Sequence, residues 1–167
     1  MTNPETIAAL ATALEAEKQS LHGYLRLAWE TRDNSGKQMF IRLATDEFEH
    51  MRLLETWQAA KGPPPAIEPS AIERLVPRLS DKSLQIRGTR GQHQLDALLT
   101  ALELERSARA FYEEQSGRAP AGPARDAFRR LAEMESAHHA LIQTEIDYIR
   151  QDGFWFGLLE FTLESER

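Results

Sequence analysis

Residues 43–50 read LATDEFEH, and residues 131–138 read LAEMESAH. Each stretch contains a Glu followed three residues later by a His, namely Glu47–His50 and Glu135–His138. Apolar residues recur at helical spacing around both stretches, so the Glu and the His of each pair project from one helix face. One such pair is weak evidence, because Glu–His neighbours are common on helix surfaces. The repetition of the pair is informative.

The two stretches belong to an internal repeat with a shift of 88 residues. Glu17 precedes Glu47 by 30 residues, and Glu105 precedes Glu135 by the same number. With Glu at about a tenth of positions, we put the chance of this coincidence well under about 1%. The same shift relates further residues: Leu14 to Leu102, Tyr24 to Tyr112, Phe40 to Phe128, Leu43 to Leu131 and Leu53 to Leu141.

Helical periodicity predicts four long helices. The first begins at Asn3-Pro4-Glu5, where a capping side chain, a proline and an acidic residue succeed one another, and continues to about residue 31. The others are predicted over about 37–60, 94–115 and 124–149, with turns at 33–36 and 117–123. No stretch alternates at period two, so the fold is predicted to be all-α.

The segment 61–91 is too long for a plain loop between neighbouring helices. Near its start, Gly62 and the three prolines that follow it end the second helix. Farther along, Ser70-Ala71-Ile72-Glu73 is a capping-box pattern that predicts a short helix before Pro77. Two short hairpins joined by one long connection describe a four-helix bundle with a crossover between helices 2 and 3. We therefore assign residues 1–150 to the bundle, with its crossover at 61–91, and residues 151–167 to an apolar tail.

The spacing predicts that four Glu and two His meet in one layer of this bundle. In an antiparallel hairpin, residues equidistant from the turn lie at the same height, and each of the four Glu is about 15 residues, or ~22 Å, from its hairpin tip. Several buried carboxylates are costly without compensation. Two divalent cations would supply the four positive charges that balance them. The predicted metal ligands are Glu17, Glu47, His50, Glu105, Glu135 and His138.

Composition excludes several classes of protein. The 167 residues contain no Cys, which excludes disulfides, thiolate nucleophiles and Cys-ligated zinc or iron–sulfur sites in this sequence. The net charge of -6, with no basic block, argues against nucleic acid as a partner. The N-terminus shows no targeting pattern, and the most apolar run, 154–163, is too short to span a membrane. We expect a cytoplasmic protein with no membrane partner.

The stretches 43–50 and 131–138 resemble the second-helix and fourth-helix signatures of the rubrerythrin/ferritin-like superfamily of non-haem di-iron carboxylate proteins. The resemblance covers about residues 1–150 and implies a ferritin-like four-helix bundle. It also implies terminal carboxylate ligands at Glu17 and Glu105, bridging ligands at Glu47 and Glu135, and one imidazole per iron from His50 and His138. Tyr24 and Tyr112 match a rubrerythrin tyrosine seven residues after the ligand, and the resemblance implies that they hydrogen-bond a ligand carboxylate or pass an electron. Their alternative interpretation is as ordinary core tyrosines.

Two features depart from rubrerythrins. Ala108 replaces a further Glu that takes part in their redox-linked ligand exchange, and the rubredoxin domain is absent, as the lack of Cys requires. The symmetric set of four Glu and two His is closer to a bacterioferritin-type ferroxidase centre.

The predicted ligand set and the resemblance are compatible with three functions. The first is an oxidoreductase with two Fe ions per bundle that reacts with O2 or H2O2, as a ferroxidase or a peroxidase-like enzyme with an external electron donor. Oxygen and nitrogen ligands also accept Mn or Zn. The second is a non-catalytic metal-binding or iron-storage subunit. The third is a metal-free bundle, which the cost of buried carboxylates disfavours.

The remaining predictions concern residues outside the proposed centre. Helical geometry turns the Glu residues two positions from the ligands toward solvent, and the other histidines lack partner spacing. Trp29 and Trp57 are expected to pack in the bundle, while Arg109 is interpreted as an interface residue or a neighbour of the ligands. The apolar tail, residues 154–161, is expected to cover the end of the bundle, to pack on a partner subunit or to serve as a docking peptide, and we expect a homodimer or larger homo-oligomer. The residues predicted to lie on the surface are Glu15, Glu49, Glu103, Glu133, His22 and His139, and His93 has no evident role.

Overall fold

The computed structural model describes residues 4–75, 94–153 and Trp155. These residues form five helices and no strand, which confirms the all-α prediction for the part of the chain described. The helices are α1 (Pro4–Glu30), α2 (Asn34–Ala60), α3 (Ala71–Leu75), α4 (Leu95–Arg118) and α5 (Pro123–Asp152). The predicted division into a bundle and a tail stays a prediction, because most of the tail lies outside the described residues.

The four long helices form two hairpins. α1 packs mainly against α2, and α4 against α5, and the connections of three and four residues make each pair antiparallel. α2 begins three residues earlier than predicted, because Asp33 is its N-cap: its Oδ1 accepts hydrogen bonds from the backbone N–H groups of Ser35 at 2.8 Å and Gly36 at 3.1 Å. α4 and α5 likewise each run three residues beyond their predicted ends. The predicted elements are present, and only their ends differ.

The capping box predicted in the crossover is present. The Glu73 N–H donates to Ser70 Oγ at 3.2 Å, and the Ser70 N–H donates to Glu73 Oε2 at 2.8 Å. The Glu73 carboxylate also accepts two hydrogen bonds from the guanidinium of Arg130 on α5, one of them 2.6 Å long. Ile72 is fully buried in the core. These contacts hold α3 against α5. The predicted stop at Pro77 and the rest of the crossover lie outside the described residues.

Two apolar clusters fill the bundle, one toward each end. The first includes Tyr24, Phe40 and Leu141, and the second includes Leu10 and Trp57. On α1, α2 and α4 the predicted ligands fall between the residues of the two clusters, and on α5 they lie where one cluster gives way to the other. The core is therefore interrupted by one polar layer at mid-height.

The prediction for Trp57 is confirmed, since it is 1% exposed, but the one for Trp29 is wrong. Trp29 is 89% exposed because it follows Ala28, whose side chain faces the core, and so points away from the second hairpin. In the tail, Trp155 is buried and packs edge-on against Phe40. Phe154 and residues 156–167 lie outside the described part, so the predicted roles of the tail stay predictions.

The outer surfaces of the two hairpins differ, although their inner surfaces correspond. On the first hairpin the large apolar side chains of Leu25, Ile41 and Phe48 are 42–51% exposed. The residues 88 positions later are Glu113, Arg129 and Ser136. The repeat is therefore preserved where side chains face the bundle interior. None of the described helices combines the length and the apolarity that a membrane-crossing helix requires.

Candidate metal centre

All four long helices contribute to the polar layer. α1 provides Glu17 and α4 provides Glu105, while α2 and α5 each provide a Glu and a His one turn apart. The six residues predicted as ligands are buried, each with at most 3% of its surface exposed. Because ligands 30 residues apart are equidistant from a hairpin tip, the two hairpins bring them to the same depth. The structure thus brings together all six residues: Glu17, Glu47, His50, Glu105, Glu135 and His138.

The six side chains form two overlapping groups of four, and in each group one donor atom per residue lies within 4.8 Å of the others. Both groups contain Glu47 and Glu135. The first group is completed by one Glu and one His from the first hairpin, and the second by the corresponding pair from the second hairpin. The groups are Glu17, Glu47, His50 and Glu135, and Glu47, Glu105, Glu135 and His138.

The two shared carboxylates each direct one oxygen toward each histidine. Glu47 Oε2 lies 3.2 Å from His50 Nδ1, and Glu47 Oε1 lies 3.3 Å from His138 Nδ1. Glu135 Oε1 lies 3.2 Å from His50 Nδ1, and Glu135 Oε2 lies 3.4 Å from His138 Nδ1. The imidazole rings stack with their centroids 5.3 Å apart. Each shared carboxylate therefore has one oxygen available to each of the two donor groups.

The donor atoms lie close together without satisfying one another. Nδ1 of both histidines is buried and makes no hydrogen bond to any described residue, although it lies within 3.5 Å of three carboxylates. Buried polar atoms in proteins almost always have a partner. Oxygens of three carboxylates are equally unpartnered: Glu47 Oε2, Glu105 Oε2 and Glu135 Oε1. Carboxylate oxygens and imidazole nitrogens are suitable ligands for iron, manganese or zinc, so these residues fit a pair of divalent cations.

The electrostatics of the layer indicate the same need for positive charge. Burial, together with the negative charges of Glu135 and Glu17, raises the pKa of Glu47 well above its ordinary value. Burial raises the pKa of Glu105 to about 7, with Glu135 adding to the rise and His138 opposing it. Burial alone would lower the pKa of His138, but the neighbouring carboxylates, Glu105 first, raise it. Without bound cations, protons must neutralise the negative charge of these carboxylates. Bound cations would replace the protons in this role.

The two tyrosines hydrogen-bond to carboxylates of the layer, each across the gap between the hairpins. The Tyr24 hydroxyl on α1 donates to Glu105 on α4, and the Tyr112 hydroxyl on α4 donates to Glu17 on α1. Both rings are buried. Burial and the adjacent carboxylates raise the pKa of both phenols well above the ordinary value, so the tyrosines remain protonated hydrogen-bond donors.

Asp46 belongs to the centre but was not predicted. Its Oδ2 lies 3.2 Å from Nε2 of His138, on the side of the ring that faces away from the carboxylates. Burial would raise the pKa of Asp46, but hydrogen bonds from His138 and Ser70 hold it below its ordinary value. The signal available in the sequence was an acidic residue directly before Glu47. The repeat concealed its importance, because the corresponding residue is Met134.

The residues predicted to lie outside the centre do so. Of the two histidines predicted to lie on the surface, His22 is exposed and His139 is half-buried. The four Glu residues that lie two positions from a predicted Glu ligand are all exposed, namely Glu15, Glu49, Glu103 and Glu133. The Arg109 side chain points away from the centre, since it is exposed and pairs with Glu113 one turn along α4, at 2.8 Å. His93 lies outside the described residues.

A cavity of about 450 Å³ lies beside the centre, between α2 and the start of the crossover. His50 and Asp46 line it, together with residues 65–71 and with Leu131 and Met134 of α5. Asp46 is 8% exposed, and His50 lines the cavity whereas His138 does not. The cavity therefore adjoins the centre from the side of His50.

Residues 96–153 match the Rubrerythrin family model. The match covers α4 and α5, with Glu105, Glu135 and His138 inside it. Neither a curated protein nor a solved structure gives a significant match to the chain. The resemblance expected from the residue pattern is confirmed for the second hairpin, and the helical architecture of both hairpins is ferritin-like.

Proposed function

Since the Rubrerythrin match and the helical fold are consistent with a member of the rubrerythrin/ferritin-like superfamily, we propose that the chain is a di-iron carboxylate oxidoreductase that reacts with O2 or H2O2. The observation that supports this most strongly is the pair of buried four-residue donor groups that share Glu47 and Glu135. An isolated acidic cluster on a surface would not have this burial or this two-fold arrangement.

In this proposal each cation has one carboxylate and one imidazole of its own. Glu17 and His50 would hold the first cation, Glu105 and His138 would hold the second, and the two shared carboxylates would bridge them. Four carboxylates then balance two divalent cations, which removes the large cost of burying uncompensated charge. Iron bound in both positions supplies the electrons that reduce O2 or H2O2.

The protein's own contribution is to orient the ligands and to exclude water. The layer lies between two apolar clusters and its six side chains are each at most 3% exposed, which limits the access of solvent to the ligand atoms. Tyr24 and Tyr112 each fix one oxygen of a terminal carboxylate, and the second oxygen lies 3.4–3.5 Å from Nδ1 of a histidine in the layer. Asp46 accepts a hydrogen bond from Nε2 of His138, which would leave the Nδ1 lone pair available to a bound cation.

A reductant outside these residues must return the centre to its reduced state if it is to turn over. The sequence has no Cys, so no Cys-ligated iron–sulfur or rubredoxin-type site within it performs this step. We therefore propose an external electron donor, with the oxidant entering as a small molecule.

Stopped-flow absorbance after anaerobic loading with two Fe(II) per chain tests this proposal. Mixing with O2 or H2O2 should oxidise both irons within seconds in the natural protein, and Glu47→Gln should abolish the fast phase. Glu49→Gln, an exposed change two residues away on the same helix, is the matched control and should behave as the natural protein does. Slow oxidation at the same rate in all three proteins would contradict the enzyme proposal and favour a storage subunit.

A further inference from the structure

The two histidines of the centre have different surroundings on the side of the ring away from the carboxylates. His138 Nε2 lies 3.2 Å from the buried carboxylate of Asp46. His50 Nε2 is also buried, but no described residue hydrogen-bonds to it. A hydrogen bond from the second ring nitrogen selects the tautomer, fixes the ring and strengthens the imidazole as a ligand. Among the described residues, only His138 has this support.

The internal repeat provides a comparison within one chain. Asp46 precedes Glu47 on α2, and the residue at the corresponding position of α5 is Met134. Met134 is buried and lines the same cavity as His50. A thioether is at most a weak acceptor, so it does not replace the carboxylate. The difference between the two histidines thus originates in one position of the repeat.

Asp46 is itself held in place from the crossover. It accepts a hydrogen bond from the side chain of Ser70, whose Oγ also accepts the N–H of Glu73 in the capping box of α3. The Glu73 carboxylate binds Arg130 of α5. A continuous chain of contacts therefore runs from His138 to the docked helix α3. In the part of the chain that the structure describes, Nε2 of His50 has no hydrogen-bond partner, and His50 lines the cavity of about 450 Å³.

We propose that the two cation positions are unequal, and that Asp46 is the positioning residue responsible. The position at His138 takes the first cation tightly, and the position at His50 takes a second cation that exchanges more readily through the adjoining cavity. This inference rests on the proposed function, because it presupposes that the layer binds two cations. Loss of an acceptor that supports a ligating imidazole typically weakens metal binding by about 10–100-fold, so the two affinities should differ by at least about tenfold.

Equilibrium titration of the metal-free protein with Co(II) tests the inference. Co(II) does not react with oxygen as Fe(II) does at such sites, and its absorption reports each binding step. We expect two steps in the natural protein. In Asp46→Met, which introduces the residue that the second repeat carries, the tighter step should weaken by about 10–100-fold while the weaker step changes by less than about threefold. Asp46→Asn retains an acceptor oxygen and should keep the two steps apart.

Glu49→Gln is the matched control, since it removes one negative charge from the wall of the same cavity without touching a ligand. It should leave both steps within about twofold of the natural values, as expected for an exposed charge. Two equal steps in the natural protein, or equal weakening of both steps in Asp46→Met, would overturn the inference and leave the two-cation centre intact. Failure of the natural protein to bind Co(II) would instead overturn the proposed function.

A second measurement does not depend on the folding of a variant. In the proton NMR spectrum of the natural protein loaded with two Co(II), imidazole N–H protons are shifted far outside the ordinary range by the paramagnetic ions. We expect one such proton, that of His138 Nε2, to persist in D2O because of its buried hydrogen bond, and the other to exchange rapidly. Two persistent protons, or none, would overturn the inequality of the two positions.

Discussion

The hydroxyl of Tyr24 on α1 donates a buried hydrogen bond to the carboxylate of Glu105 on α4. The repeat duplicates this relationship in the opposite direction, from Tyr112 to Glu17. Each bond joins one hairpin to the other at the level of the candidate centre. The tyrosines therefore act both as supports for the buried carboxylates of Glu105 and Glu17 and as cross-links between the halves of the bundle.

Tyr24→Phe should destabilise the metal-free protein by roughly 1–3 kcal/mol, because it leaves a buried carboxylate oxygen without its donor. Tyr112→Phe should have a similar effect, since it breaks the duplicate bond. Urea unfolding followed by circular dichroism measures both changes. A loss below about 0.5 kcal/mol, the range of neutral surface substitutions, would show that these hydrogen bonds do not join the hairpins.

Gly36→Ala should destabilise the fold by about 1–3 kcal/mol through overpacking. A Cβ at Gly36 would lie 2.9 Å from the Trp155 ring and 2.9 Å from Thr31 Cγ2, both of which are buried. Gly23→Ala on α1 is the control, because a Cβ there meets nothing within 4 Å. It should stabilise the helix by about 0.5–1 kcal/mol. Thermal unfolding compares the two, and equal effects would contradict the packing of Trp155 on Gly36.

Arg130→Met should release α3 from α5, because Arg130 makes two hydrogen bonds to the Glu73 carboxylate, which is only 14% exposed. The measurement is the rate at which a protease cuts between α2 and α4, which should rise by about 5–30-fold as the local opening free energy falls by about 1–2 kcal/mol. The adjacent Arg129→Met removes an exposed ion pair with Asp126 and should leave the cleavage rate unchanged. Equal rates in both variants would refute the docking contact.

Divalent cations should raise the unfolding temperature of the natural protein, because a ligand that binds only the folded state stabilises it by about 2.7 kcal/mol at a hundred times its dissociation constant. Glu135→Gln should lose most of this rise, since Glu135 belongs to both donor groups. Glu133→Gln, an exposed change on the same helix, should retain it. Calorimetry with and without Zn(II) gives the comparison. An equal rise in both variants would place the bound cation elsewhere.

The sequence predicted the helices and the depth of the ligand layer because both follow from periodicity. Glu17 and Glu105 are four helical turns from their hairpin tips, and this spacing alone aligns them with Glu47 and Glu135. The ends of the helices were predicted less accurately. Residues 33–36 are typical of a turn, but the Asp33 side chain caps the backbone there, so that α2 begins within the predicted turn.

Two features were not predictable from periodicity. Asp46 contacts His138 across 92 positions of the chain, so only the assembled bundle shows that contact. The internal repeat indicates residues that occur in both halves of the chain. It could not indicate Asp46, because the corresponding residue in the second half is Met134. The prediction that Trp29 packs in the bundle was wrong, because Trp29 follows the core-facing Ala28 on α1 and helix geometry points its side chain outward.

Anomalous X-ray diffraction from crystals loaded with Fe(II) under anaerobic conditions tests the central claim most directly. Two iron peaks should appear inside the bundle, one between Glu17 and His50 and the other between Glu105 and His138, with the Glu47 and Glu135 carboxylates contacting both. No peak within the layer, or a single peak that leaves one of the two histidines unligated, would contradict a dinuclear centre in this protein.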